Sequence, residues 1–335
     1  MSQASLMAGQ IAFSICTPLY VILTGVCVWT RIEARGNPRE ERSMVAYRSV
    51  EIQGLKIAYR EAGDSTKPTL LLLHGFPTAG HMFRDLIPNL VSRFHLVAPD
   101  LPGFGQTDLP DSTKFCYSFA RLSEVMIGFV SALELKKLGL YVFDYGAPVG
   151  FRLALTMPQC ITAIVSQNGN VYEEGLSPGW DSMKEFWAKP TTQYRESLRS
   201  SFTSDAIRTQ YVTGAPDPQL ISPDGWSLDR HYLERPGAEE AQLDLFQDYG
   251  SNVALYPEFQ KYLQQFHPPL LAIWGKHDPY FLPIGADAFR RDNPRARVEF
   301  LNTGHFALET HSDKIAHAII SFFDNDVFGK TERGS

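Results

Sequence analysis

The chain has 335 residues, 44% hydrophobic and 20% charged, which excludes a disordered or fibrous protein and leaves ample length for a large buried core. Its 31 basic against 37 acidic side chains give a net charge of −6, and this argues against nucleic acid as a partner, because phosphate binding needs concentrated Lys and Arg. Four cysteines cannot form a disulfide framework at this length, and no CxxC pair or Cys/His cluster offers a metal site.

The first 30 residues carry no charged side chain. Residues 11–29, IAFSICTPLYVILTGVCVW, would rise roughly 28 Å as a helix, close to the hydrocarbon thickness of a bilayer. Arg31, Arg35, Arg39 and Arg42 follow and no basic residue precedes, which disfavours a cleavable signal peptide and places the body on the cytosolic side. The expectation is membrane association through an anchor over 11–29, within an apolar segment and linker spanning 1–43, with the endoplasmic reticulum as a candidate membrane. Pro18 and the interspersed Ser and Thr leave a docked or disordered tail, and a cytoplasmic protein, as the alternative.

From residue 44 to 335 the chain alternates short apolar runs with amphipathic segments. A strand pair is expected over 50–59, then core strands over 69–73, 95–99, 138–143, 163–167, 270–274 and 298–301. Helical spacing marks 82–91, 119–135, 147–157 and 313–323. Strands alternating with helices predict an α/β fold: a mainly parallel eight-stranded sheet covered on both faces. The rhythm breaks over about 169–268, rich in aromatics and Pro, which reads as a helical cap inserted after the sixth strand.

Three residues stand in loops directly after predicted strands, where α/β sheets place their ligands. Asp144 lies in Leu140-Tyr141-Val142-Phe143-Asp144-Tyr145-Gly146, a strand running into a turn and a helix; this is the setting of a nucleophile elbow with Asp in place of Ser. Asp278 follows the 270–274 strand and His305 follows the 298–301 strand. A carboxylate in the first position can attack an electrophilic carbon and form an ester. His74-Gly75-Phe76-Pro77 follows the 69–73 strand, so the backbone N–H of Phe76, with that of Tyr145, can form an oxyanion hole. His74 reads as a structural residue of this loop and His277 as incidental. Gly175-Leu176-Ser177-Pro178-Gly179 matches G-x-S-x-G as a string. No apolar strand leads into it, however, and Pro178 lacks the N–H that should follow the nucleophile, so Ser177 reads as a loop residue.

The motifs HGFP, DLPGFGQTD, FDYGAPVGFRLA, WGKHDP and NTGHFALE occur in register from about residue 50 to 323. Together they resemble the α/β-hydrolases of the epoxide hydrolase and haloalkane dehalogenase branch. The resemblance implies a two-step mechanism without a cofactor, in which Asp144 forms an alkyl-enzyme ester and His305, oriented by Asp278, activates water to hydrolyse it. It also implies two cap tyrosines that protonate an epoxide oxygen. Tyr249 is the candidate for the second and Tyr194 for the first, with Tyr172 and Tyr211 as rivals. With 14 tyrosines in the chain, a cap phenol can equally be plain pocket lining. Phe76 offers no side-chain N–H for a halide, and Tyr145 replaces the Trp common after the nucleophile. The leading expectation is an epoxide hydrolase-like enzyme acting on a lipophilic small molecule with water. Haloalkane dehalogenation or ester or carbon–carbon hydrolysis on the same fold is the alternative, and a non-catalytic small-ligand binder represents another class.

Overall fold

Eight strands form one sheet in the computed structural model of the protein, which describes residues 44–329. The first two, β1 (Ala46–Ile52) and β2 (Leu55–Ala62), make an antiparallel hairpin. Its two turn residues, Gln53 and Gly54, both have positive φ, the backbone that a two-residue hairpin turn demands. The remaining strands are β3 (Thr69–Leu73), β4 (His95–Pro99), β5 (Leu138–Phe143), β6 (Ile161–Gln167), β7 (Leu270–Gly275) and β8 (Arg297–Leu301). Their order is β1-β2-β4-β3-β5-β6-β7-β8; β2 pairs antiparallel with β4, and every later pairing is parallel.

Strand alternation divides the core between the two faces of the sheet. Leu71, Leu73 and Val142 are buried on one face, with Phe119, Leu122 and Val149 packed in the same cluster. Leu70, Leu72, Tyr141 and Phe143 are buried on the other, with Leu86, Leu90, Ile315 and Ile319. The covering helices are α1 (Leu86–Leu90), α2 (Phe119–Ala132) and α3 (Gly146–Thr156). The expected helix over 82–91 is shorter than its apolar spacing suggests. Pro88 has no N–H and fits only in a first turn, so the helix starts at Leu86 and a separate 3₁₀ turn occupies Gly80–Phe83.

Between β6 and β7 the chain forms α4 (Asp181–Ala188), α5 (Thr192–Ser197), α6 (Ser204–Val212), α7 (Asp224–Leu233) and the 29-residue α8 (Ala238–Phe266). Two helices complete the fold, α9 (Pro283–Asp292) and α10 (Leu308–Phe322). The latter starts five residues before the expected 313, with a non-helical kink at His311. The expected anchor over 11–29 lies outside the described residues. Among the described residues, no helix is long and apolar enough to cross a membrane.

The strand order creates a crevice at the carboxyl ends of β3 and β5. The chain leaves β3 toward β4 on one side and returns to β5 on the other, the switch point where open α/β sheets bind ligands. At that point α3 packs almost onto the backbone of β3. A Cβ on Gly146 would stand 2.2 Å from the Leu73 carbonyl oxygen. Gly146→Ala is therefore expected to destabilise the fold by about 1–3 kcal/mol or more through overpacking, read as a lower urea midpoint at unchanged m.

Candidate active site

Asp144 directly follows β5 with φ of 49°, the left-handed region that Asp tolerates better than most residues. This turn projects its side chain into the crevice, against the loop that follows β3. Gly75 makes the approach possible, because a Cβ there would lie 2.3 Å from the Asp144 Oδ1. The Phe76 N–H donates to that same oxygen at 2.7 Å. The buried His74 ring braces the loop: its Nδ1 pairs with the Gly75 carbonyl at 3.0 Å, and its Nε2 accepts the Leu101 N–H at 2.9 Å. Burial lowers this imidazole to about 4, so it is neutral and structural, as expected.

His305 approaches the other carboxylate oxygen. Its Nδ1–H donates to Asp278 Oδ2 at 2.7 Å, which leaves Nε2 facing Asp144 Oδ2 at 3.8 Å. That separation is too long for a hydrogen bond and leaves Nε2 free to accept from a water. Asp278 is fixed in turn: the N–H groups of Tyr280 and Phe281 donate to its Oδ1 at 2.7 and 3.1 Å. Asp144, Asp278 and His305, brought from the ends of β5, β7 and β8, thus meet at one point, with the amides of Phe76 and Tyr145 beside them.

The surroundings tune the two titrating groups that face each other. Burial raises the Asp144 carboxyl to about 6, although His305 and the amides of Phe76 and Tyr145 oppose the rise. Burial pushes the His305 imidazole down, but the charge and hydrogen bond of Asp278, with the charge of Asp144, outweigh it and leave it raised.

Asn168, absent from the sequence-based site, completes the arrangement. It follows β6 with φ of 50°, its Nδ2 donates to Asp278 Oδ2 at 2.6 Å, and its Oδ1 accepts the Gly275 N–H at 3.0 Å. The signal was a polar pair, Gln167-Asn168, directly after an apolar strand; Gln167 Nε2 donates to the His305 carbonyl at 3.0 Å. Asn168→Ala strands the Gly275 amide and removes a residue suited to left-handed backbone. It is expected to cost about 1–3 kcal/mol in chemical denaturation.

A cavity of about 450 Å³ opens onto Asp144 and His305, walled by Phe76, Tyr145, Trp180, Phe246 and two further phenols, Tyr194 and Tyr280. Tyr194, a candidate from the sequence, lines this cavity with its ring stacked on Phe186 at 4.9 Å. Tyr280, which that reading passed over, packs edge-on against the His305 ring at 5.3 Å. Burial, with the charges of Asp278 and Asp144, raises its phenol to about 12.

Tyr249 is not among the residues lining this cavity. Its ring is buried in an aromatic box, 4.7 Å from Trp180, 5.5 Å from Phe119 and 5.8 Å from both Tyr145 and Trp187, and burial, with the charge of Asp144 among lesser causes, raises its phenol. Aromatic packing, which spacing along the chain does not reveal, holds it there. Of its rivals, Tyr211 is held by Asp229, and Tyr172 packs on Phe289; neither lines the cavity. Ser177 is a buried loop residue with φ of −69°, outside any strand–turn–helix setting, as expected. His277 is exposed and pairs with Asn302. Among the described residues, no group of three or more His, Cys, Asp or Glu could hold a metal ion.

A family model of the alpha/beta hydrolase fold matches residues 68–312. An uncharacterized hydrolase of Saccharomyces cerevisiae is 46% identical over 282 residues, covering 83% of this chain and 97% of its own. A haloalkane dehalogenase of Mesorhizobium japonicum is 27% identical over 311 residues, covering 87% of this chain and 96% of its own. Among solved structures, the haloalkane dehalogenase DbeA of Bradyrhizobium elkani shares the fold with a TM-score of 0.71 at 20% identity, over 84% of this chain and 98% of that one. The epoxide hydrolase CorEH does so with a TM-score of 0.70 at 20% identity, over 84% and 99%. With a sheet, a site and relatives in agreement, the chain belongs to the α/β-hydrolase family and is a hydrolase related to haloalkane dehalogenases.

Proposed function

We propose that the protein hydrolyses epoxides of lipophilic small molecules through a covalent ester on Asp144. The observation that carries this reading is the division of labour between the two Asp144 oxygens: Oδ1 accepts from the Phe76 amide, and Oδ2 faces the ring of His305. In the first step Oδ2 attacks a ring carbon. The carbon–oxygen bond of the epoxide breaks, its electron pair stays on the oxygen, and that oxygen takes a proton from a cavity phenol. Tyr194 and Tyr280 line the cavity and supply candidate donors, and the Tyr280 phenol, at about 12, is protonated at neutral pH yet acidic beside an alkoxide.

In the second step His305 Nε2 takes a proton from water as the water oxygen attacks the ester carbon. The charge that develops on Oδ1 is met by the N–H groups of Phe76 and Tyr145. Collapse breaks the bond between the ester carbon and the alkyl oxygen, which takes the proton from His305 and leaves as part of a diol; the Asp144 carboxylic acid then gives up its proton, through solvent, to the phenolate left by the first step, and both groups are restored.

Phenols at the cavity favour an epoxide over a halide. The indole N–H of Trp180, which lines the cavity and could hold a departing halide, already donates to the Tyr280 carbonyl at 3.1 Å. The test is single-turnover hydrolysis of an aryl epoxide in heavy-oxygen water, followed by mass analysis of the peptide carrying Asp144. Label in that carboxylate is expected. Its absence after turnover overturns the ester mechanism, and halide release from a haloalkane panel without diol formation transfers the protein to the dehalogenases.

A further inference from the structure

Most of the cavity wall is aromatic or aliphatic, and among the described residues it holds no Lys or Arg. Besides Asp144 and His305, the polar side chains in it are the hydroxyls of Ser182, Ser201, Thr209 and the phenols, and a single carboxamide. Gln210 lies on α6, is only 9% exposed, and lines the cavity, yet its carboxamide has no hydrogen-bond partner among the described residues. Ala206 and Thr209 line the same cavity, and positions i, i+3 and i+4 share one face of a helix, so this face of α6 is turned to the cavity. The next residue, Tyr211, pins the helix: its hydroxyl donates to the buried Asp229, and its ring stacks on Phe306, beside His305, at 3.8 Å.

The polar atoms of this carboxamide are not sealed away from the cavity, so they are free to bond with whatever occupies it. The neighbouring Thr209 hydroxyl turns back to its own helix, donating to the Asp205 carbonyl. The carboxamide both donates and accepts, so it suits a neutral group that does the same. A carboxylate would enter a site that already holds Asp144 and whose wall, among the described residues, has no Lys or Arg.

We propose that Gln210 recognises a second polar group on the substrate, so that this cavity takes uncharged lipophilic molecules carrying a hydroxyl, carbonyl or amide in addition to the electrophilic carbon. The proposal deepens the epoxide reading and rests on it for the reaction, but the recognition it describes can be measured without turnover.

Three probes of one chain length test it in reaction: 1,2-epoxyoctane, 7,8-epoxyoctan-1-ol and 7,8-epoxyoctanoate, with six- and ten-carbon analogues to allow for reach. The hydroxylated chain is expected to be preferred over the plain one by about fivefold to tenfold in kcat/KM, carried by KM, with the carboxylate the poorest. Gln210→Leu is expected to erase the preference, and Gln210→Met guards against a variant that folds poorly. Calorimetric binding of 1,8-octanediol against 1-octanol reads the same selectivity without chemistry. Turnover of the epoxides with no preference for the hydroxyl at any length overturns the role of Gln210 and leaves the ester mechanism standing. No turnover, but tighter binding of the diol that Gln210→Leu abolishes, overturns the ester mechanism and leaves the recognition standing. Equal losses for polar and plain chains in both variants make Gln210 a packing residue and overturn the proposal.

Discussion

Asp144→Ala is expected to lower turnover by about four orders of magnitude or more, because the group that forms the ester is gone and the water left behind has no equivalent position. Asp144→Asn should be equally impaired in the first turnover and, at neutral pH, more stable than the parent. Asn keeps the shape of the side chain and its tolerance of the left-handed φ of 49°, while it removes a carboxylate that burial penalises. The sign follows from the direction of the shift. The folded carboxyl stands at about 6 against an ordinary 3.8, so the favourable contribution of the protonated form is complete below about 4 and lost as pH rises through 6. Above that, the parent carries a penalty of up to about 3 kcal/mol that the Asn variant lacks. Urea midpoints at pH 4 and pH 7 check this: the gap between parent and variant should widen in favour of the variant at pH 7. A gap that narrows there would mean that His305 and the amides hold the carboxylate more strongly than burial disfavours it.

The strands and the three meeting residues were legible because each depends on a short pattern. Continuous apolar runs such as 69–73 and 138–143 must be buried on both faces, and a polar residue directly after such a run must lie at the carboxyl edge of the sheet. Asp144, Asp278 and His305 announce themselves in this way. Asn168 obeys the same rule and was passed over, because an amide after a strand suggests no chemistry until Asp278 is seen 2.6 Å away. The segment between β6 and β7 was legible only as helical. Which phenols reach the cavity depends on how α4 to α8 rotate over the sheet. That rotation is set by long-range aromatic contacts such as Trp180 with Tyr249 and Phe76 with Phe246. Local periodicity carries no information about such contacts, so it does not reveal that Tyr280 lines the cavity. Gln210 was invisible for a related reason: an amide on an exposed-looking helix becomes notable only when it is buried against an apolar cavity without a partner.

His305→Gln separates the two chemical steps and should produce the most diagnostic phenotype. Alkylation needs only the ionised Asp144 and a phenol, so the first turnover is expected to proceed and to stop at the ester. Steady-state turnover should fall by about 10²–10⁴-fold, the usual contribution of a general base, while one equivalent of epoxide is consumed per site. Intact mass should rise by the mass of the epoxide, on the peptide that contains Asp144. The same logic sets a pH signature in the parent enzyme. In the free enzyme the charges of Asp278 and Asp144 together hold the imidazole above its ordinary value against burial. Once Asp144 is esterified its charge is gone, and only Asp278 still opposes burial, so the imidazole loses its proton at a lower pH in the ester than in the free enzyme. The base is therefore released by the step that precedes its use. Pre-steady-state kinetics should show the rate of ester hydrolysis falling only at a pH below the one at which His305 titrates by NMR in the free enzyme. Coincident values would mean that the charge of Asp144 does not reach His305 across the 3.8 Å between them, and a His305→Gln enzyme that turns over without accumulating ester would remove His305 from the second step altogether.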